Sequence, residues 1–219
     1  MSKLLLIRHG QTTWNAERRI QGHQDSPLSE EGLRQAEAIA GRLSIVRLDA
    51  IYTSDLARAC RTAEAINVHH RLPLRTLVSL REANLGRWEG RTVADLEKDA
   101  VEADLLALWR TDSATNRPPG GERLEELQAR AVAAVQRIVE AHPAGTIAVV
   151  THGGVVKAVV SWALGLPIDR QRRFVVGNAS LTRLSIDARG ATLECLNDVS
   201  HWSETVESPR TRVRSDDAP

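Results

Sequence analysis

The sequence predicts an α/β protein, a three-layer α/β/α sandwich on a mostly parallel sheet. Three observations carry that expectation. Strand and helix signals alternate along most of the 219 residues, the pattern of a sheet covered by helices on both faces. Two runs, Leu4–Ile7 and Thr146–Val150, are apolar without alternation, as strands buried on both faces of a parallel sheet are. Hydrophobic content of 42% at this length suffices for one buried core.

Taken in order, Leu4–Ile7 is the first strand and stops at Arg8-His9-Gly10. Ser29 with Glu30 and Glu31 reads as a helix start, a capping hydroxyl followed by acids in the first turn. Leu33, Ala36, Ala40 and Leu43 then recur at helical spacing. Ala50–Thr53 is a short strand, and Ser54 is expected to cap a helix running to about Ile66. Leu72–Leu77 supplies another strand. Helical signals from Val93 to Trp109 are followed by a break at Pro118-Pro119-Gly120-Gly121. Leu127, Ala131, Val135 and Ile138 mark a helix from Leu124 to about His142-Pro143. After the strand at Thr146–Val150, Val155–Leu164 reads as an apolar helix, and Leu181–Ile186 and Ala191–Leu196 as two closing strands. The expected organisation is one domain over residues 1–204, with a helical cap inserted at about 92–122. Residues 205–219 are expected to form a polar, loosely held tail.

Charge and cysteine usage exclude several classes. The formal net charge is +1, which gives no steering toward nucleic acid or a membrane surface. Of 29 basic residues, all but Lys3, Lys98 and Lys157 are arginine, so arginine clusters carry less meaning here than elsewhere. Cys60 and Cys195 lie far apart without metal-ligand spacing, suiting a reducing compartment. No signal-peptide core follows the amino terminus, and no apolar run approaches the roughly 20 residues of a membrane helix. A cytoplasmic protein is expected.

The strand ends hold the chemistry. Arg8 and His9 follow the first strand, and Thr151-His152-Gly153-Gly154 repeats the same pattern after Val150. One histidine at a strand end is ordinarily structural; two in the same position of parallel strands meet at the edge where α/β sheets bind ligands. A metal would be repelled by Arg8, and acid–base work on a neutral substrate leaves that arginine unexplained. An anion, above all a phosphoryl group, suits guanidinium, imidazole and backbone N–H donors together. Arg58, one turn into the helix after Ala50–Thr53, can reach back over the helix start. A leaving oxygen needs a proton donor, for which Glu82 is preferred and Glu89 is the competitor.

These residues, in this order, closely resemble the histidine phosphatase superfamily, also called the phosphoglycerate mutase-like family. The likeness is carried by Arg8-His9-Gly10 with Trp14-Asn15, Gln21-Gly22 with Leu28–Gly32, and Ser54–Ala59. It continues through Leu80-Arg81-Glu82 with Leu85–Gly90, Pro119–Glu122 and Thr151–Gly154. Asn178-Ala179-Ser180 and Asn197-Asp198 extend it to about residue 200. The resemblance implies a phosphoglycerate mutase-like fold with His9 as nucleophile, forming a phosphohistidine. It implies that Arg8, Arg58 and His152 complete the phosphate pocket, with Asn15 as a further donor. Gln21 and Gly22 would line the rim, Gly153 would offer a backbone N–H, and Glu82 would be the proton donor. Neither metal nor cofactor is implied. Because Glu82 must carry a proton to give it away, an acid-to-neutral optimum is expected.

Mutases of the family resemble one another in a charged-aromatic stretch after the catalytic glutamate and a longer insertion before the second histidine. Here Ala83–Gly90 follows Glu82 and the stretch to His152 is compact, similar to the broad-specificity phosphatases and the α-ribazole phosphatase group. The implied activity is a phosphomonoesterase on a small phosphorylated metabolite. The alternatives are a cofactor-dependent phosphoglycerate mutase and a non-catalytic phosphate-binding protein. Trp109, Arg110 and Arg117, with Arg18, Arg19, His23 and Arg87, are candidates for a cap over the pocket. If they face inward, the substrate carries a second anionic group; if not, they belong to an arginine-rich surface. The late apolar helix and strands are either core or a homodimer interface.

Overall fold

Strands β1 (Ser2–Arg8), β2 (Ala50–Thr53), β3 (Leu74–Thr76), β4 (Thr146–Thr151), β5 (Leu181–Asp187) and β6 (Gly190–Asp198) share one sheet in the computed structural model. The structure describes residues 1–113 and 115–202; the tail expected at 205–219 lies outside them. The strand order is β3-β2-β4-β1-β5-β6. The pairs β1–β4, β4–β2 and β2–β3 are parallel, while β5 joins β1 antiparallel and β6 pairs antiparallel with β5. The sheet is therefore mixed, its parallel part comprising the four strands that carry the site.

Seven α-helices accompany it among the described residues: α1 (Thr13–Ala16), α2 (Glu30–Leu43), α3 (Ala57–Asn67), α4 (Val93–Glu97), α5 (Ala100–Thr111), α6 (Leu124–Ala141) and α7 (Gly153–Ala163). Side chains alternate across a strand, and β1 shows the consequence. Leu4 and Leu6 enter one core with Leu127, Val135 and Ile138 of α6 and Val155 and Val159 of α7. Leu5 and Ile7 enter the other, with Ile39 and Leu43 of α2 and Ala63 and Ile66 of α3. Both faces are covered, which makes the three layers. Burying a Leu or Ile side chain contributes about 1.5–3 kcal/mol, so each strand anchors both layers. Trp162 packs against the first core. Trp88, Leu96 and Leu106 form a small separate cluster with Trp109, which holds α4 and α5 together in the segment expected as a cap.

Ser29 caps α2 as expected, its Oγ accepting from Gly32 N at 3.0 Å. Ser54 does not cap α3. Its Oγ accepts from Leu56 N at 3.3 Å, and the helix begins only at Ala57. The first free N–H of α3, at Ala57, donates instead to Asp25 Oδ2 at 2.7 Å. No helix among the described residues is long and apolar enough to cross a membrane.

Candidate active site

Parallel strands end together, and here four of them end at one cleft. Arg8↔Thr151 is the last register pair of β1 and β4, so His9 and His152 emerge side by side, their ring centroids 5.1 Å apart. Arg58 lies in the first turn of α3, after β2; Glu82 follows the 3-10 turn Val78–Leu80 after β3. His9, Arg8, Arg58 and Glu82 line a cleft of about 320 Å³, together with Asn15, Gln21, Gly22 and Gly153. His152 is fully buried and packs edge-on behind His9.

The hydrogen bonds orient the donors. His9 Nδ1 lies 2.7 Å from Gly10 O; a carbonyl only accepts, so Nδ1 carries the proton and Nε2 keeps its lone pair. Ala179 N and Asn178 Nδ2 both donate to His9 O, at 3.1 and 3.2 Å. Arg8 Nη1 donates to Val176 O at 2.7 Å. Arg58, 1% exposed, donates to Gly22 O, Gln24 O and Asp25 Oδ1 at 2.7 to 2.9 Å. Gly22 holds that carbonyl with φ +58°, in the region glycine favours. Arg8 Nε, Arg58 Nε and both ring nitrogens of His152 are buried without a protein partner. Buried polar groups are nearly always satisfied, so such a cluster marks a place built for polar contact with a ligand. Asn15 Oδ1 accepts from Thr12 N and Asn178 Nδ2, which leaves its own Nδ2 as the donor it can offer.

Burial holds His9 well below the ordinary histidine range, and the Arg8 and Arg58 guanidiniums add to this against the Gly10 bond. Burial does the same to His152, with help from Arg58, His9, Arg8 and Arg130. Burial also lowers Arg8 and Arg58, opposed by Glu82 at the first and Asp25 at the second; both guanidiniums stay charged. In the unfolded chain a histidine titrates near 6.5. Between that value and the depressed folded values the unfolded chain binds more protons, so stability falls as pH drops below about 6.5. His70 and His201 are also lowered and act in the same sense. Denaturant midpoints should therefore fall between pH 7 and 5. In His152→Asn the slope should shrink by up to about 1.4 kcal/mol per pH unit; a profile identical to wild type contradicts the burial of a neutral imidazole.

Glu82 is held from both ends. Its carboxylate accepts from Ala83 N at 2.9 Å and Gly154 N at 3.1 Å. Its backbone oxygen accepts from Arg130 Nη2 at 2.8 Å and His23 Nε2 at 2.9 Å. Arg130 also donates to Ser79 O and Arg81 O, and grips Glu122 through Nε and Nη2. Glu89, the competing acid, accepts from His23 N, Gln24 N and Leu85 N; it braces the loop at Gly22. The backbone N–H that touches the acid belongs to Gly154, and no such bond is seen for Gly153. A Cβ on Gly154 would overlap Glu82 Oε1, whereas one on Gly153 would sit 3.5 Å from Arg8 Nε, an ordinary contact. Gly154→Ala should lower turnover about 10²-fold by moving Glu82, and Gly153→Ala much less. Equal losses in steady-state assays would show that displacement of the carboxylate is not the cause.

The expected cap residues divide. Arg19 and Trp109 line the cleft. Arg110 pairs with Glu97 and Arg87 with Glu102, Arg18 and Arg117 are exposed, and His23 turns to Glu82 O. Asp25, Arg130, Lys157, Gln171 and Arg172 were not singled out from the sequence. Lys157 had a usable signal, helical spacing from Gly153 and Gly154; Asp25 had none. Among the described residues no three His, Cys, Asp or Glu side chains are grouped to hold a metal ion, and the cleft's guanidiniums repel cations.

Comparison with known proteins gives the family. The model of the histidine phosphatase superfamily (branch 1) matches residues 4–199. Phosphoglycerate mutase-like protein 4 of Arabidopsis thaliana is 37% identical over 207 residues, covering 93% of this chain and 88% of that protein. Among solved structures, Bacillus stearothermophilus YhfR is 38% identical with a TM-score of 0.85, over 92% of this chain and 99% of that one. A putative alpha-ribazole-5'-P phosphatase from Escherichia coli is 30% identical with a TM-score of 0.84, over 90% and 97% of the two chains. On a match that runs nearly end to end, the chain belongs to the histidine phosphatase superfamily.

Proposed function

We propose that the chain is a metal-independent phosphomonoesterase that hydrolyses small phosphorylated metabolites through a phosphohistidine on His9. One observation carries the reading: the Gly10 carbonyl fixes His9 Nδ1–H, so Nε2 is the nucleophile, beside unpartnered N–H groups of Arg8, Arg58 and His152. In the first step Nε2 attacks phosphorus, the ester P–O bond breaks, and the leaving oxygen takes the proton of the Glu82 carboxyl. In the second, the Glu82 carboxylate takes a proton from water, whose oxygen attacks phosphorus. The N–P bond breaks, orthophosphate leaves, and Glu82 is again protonated. Arg8 and Arg58 meet the charge on the equatorial oxygens, the electrostatic work a metal does elsewhere. Burial of His9 keeps its imidazole neutral, as attack requires.

The relatives' names cover a mutase-like protein and a phosphatase. The stretch Ala83–Gly90 after Glu82, with Glu89 committed to backbone N–H groups, supports hydrolysis. A cleft of about 320 Å³ is at the small end for ligand sites and suits a metabolite. Phosphate release from para-nitrophenyl phosphate in excess EDTA tests the reading, followed by products from 3-phosphoglycerate. Orthophosphate formed in both cases supports it. Loss of activity in EDTA, or an isomerised phosphoglycerate as the product, overturns it.

A further inference from the structure

The loop 176–180, which leads into β5, grips Arg8 and His9 through its backbone and Asn178. Val176 O accepts from Arg8 Nη1 at 2.7 Å, and Ser180 O accepts from Arg8 N at 3.2 Å. Ala179 N and Asn178 Nδ2 donate to His9 O, and Asn178 Nδ2 also reaches Asn15 Oδ1 at 3.2 Å. The imidazole is fixed to its own backbone through Gly10 O, so the place of Nε2 follows the place of that backbone. Ala179, fully buried, holds φ +50°, a left-handed conformation that is costly for a residue with a Cβ. Such a conformation persists where its surroundings fix it.

The end of β6 fixes it. Asn197 Oδ1 accepts from Gly177 N at 2.6 Å, and His201 Nε2 donates to Ala179 O at 2.9 Å. A carbonyl only accepts, so that nitrogen of His201 carries the proton. Asn197 itself turns at φ +58°, which asparagine tolerates better than most side chains. Arg42 of α2 donates to Asp198 Oδ2 and Ser200 Oγ, and Trp202 packs against the core that holds Ile39 and Leu43. The brace is anchored in a helix and a core outside the cleft. Neither Asn197 nor His201 is among the described residues that line the cleft, so any effect on the reaction passes through the loop.

We propose that Asn197 and His201 are positioning residues for the nucleophile, holding the loop 176–180 in the arrangement that sets His9 Nε2 in line with phosphorus. The role takes His9 as the nucleophile, and so rests on the proposed function above. Loss of either contact frees the left-handed turn at Ala179, and the partners of His9 O and Arg8 shift with it. A displacement of about 1 Å at a reacting atom costs about 10²-fold in rate. Arg58 and Glu82 are held by Asp25, Gly154 and Arg130 instead, so the fault stays at His9 and Arg8.

Vanadate and orthophosphate separate misplacement of His9 from general weakening of the site, and neither requires turnover. Vanadium takes a fifth ligand, which Nε2 can supply, whereas orthophosphate rests on charge and hydrogen bonds alone. Both affinities would be measured by calorimetry at a temperature where circular dichroism shows the full chain and each variant folded. Asn197→Gly keeps the left-handed backbone without the acceptor, and His201→Leu removes the donor. Each should reduce the preference for vanadate over orthophosphate about tenfold, and kcat for para-nitrophenyl phosphate about 10–10²-fold. Asn197→Asp and His201→Gln keep the acceptor and the donor, and should hold the preference within about twofold of wild type. Should His201→Leu not fold, Asn197→Gly decides alone. An unchanged preference in a folded Asn197→Gly or His201→Leu chain overturns the proposal, as does equal loss in the conservative variants. Weakening of both anions alike, or a wild-type chain without preference for vanadate, also overturns it. If the preference shifts as expected while the wild-type chain releases no phosphate from para-nitrophenyl phosphate, the brace stands and the hydrolytic reading fails.

Discussion

His9→Ala should lose phosphate release by about 10⁴-fold or more in kcat. In the proposed mechanism the imidazole makes the bond to phosphorus, and the neighbouring structure offers no substitute. His152 is 0% exposed and packs edge-on against His9. The backbone and Asp25 contacts of Arg8 and Arg58 do not involve the His9 side chain, so orthophosphate or vanadate should still bind. The measurement is steady-state hydrolysis at high enzyme concentration alongside a titration with vanadate. Activity within tenfold of wild type would remove His9 from the chemistry. Loss of vanadate binding together with activity would point to a collapsed site instead.

The second large effect depends on the leaving group. Glu82→Gln removes the transferable proton while keeping a carbonyl oxygen for Ala83 N or Gly154 N. An alkyl alcohol leaves poorly as an anion, so alkyl phosphates should slow by about 10²–10⁴-fold. Para-nitrophenolate leaves without a proton, so its release in the first turnover should slow far less. In the proposed mechanism the same carboxylate activates water in the second step, so its loss should make the phosphoenzyme accumulate. Rapid mixing with para-nitrophenyl phosphate should then show a burst approaching one nitrophenolate per chain, followed by a slow phase. Equal slowing of both substrates with no burst would assign the proton transfers to another group.

What the sequence disclosed follows from physical range. Residues that end parallel strands converge by topology alone, so His9, His152, Arg58 and Glu82 were readable from four strand ends and the order of elements. The supports of those residues were not. Asp25 caps α3 and pairs with Arg58 from a separate loop, and Ser54, the capping type at the right place, does something else. Arg130 clamps three carbonyls around Glu82 from the middle of α6. Such side-chain contacts join distant segments and leave no period in the sequence. The arginine-rich composition hid in another way which cations face the cleft. Arg87 and Arg110 are spent on Glu102 and Glu97, while the cations that reach the cleft from beyond His152 are Lys157 and Arg172.

Trapping the covalent intermediate tests the His9 phosphoenzyme most directly. Glu82→Gln would be mixed with a phosphoryl-labelled ester, quenched in alkali, where a phosphohistidine survives, and mapped by peptide mass spectrometry. The label should sit on His9, discharge on acidification, and be absent from the double variant with His9→Ala. Label on any other residue, or turnover by the wild-type chain with no labelled protein under any quench, would contradict a phosphohistidine on His9.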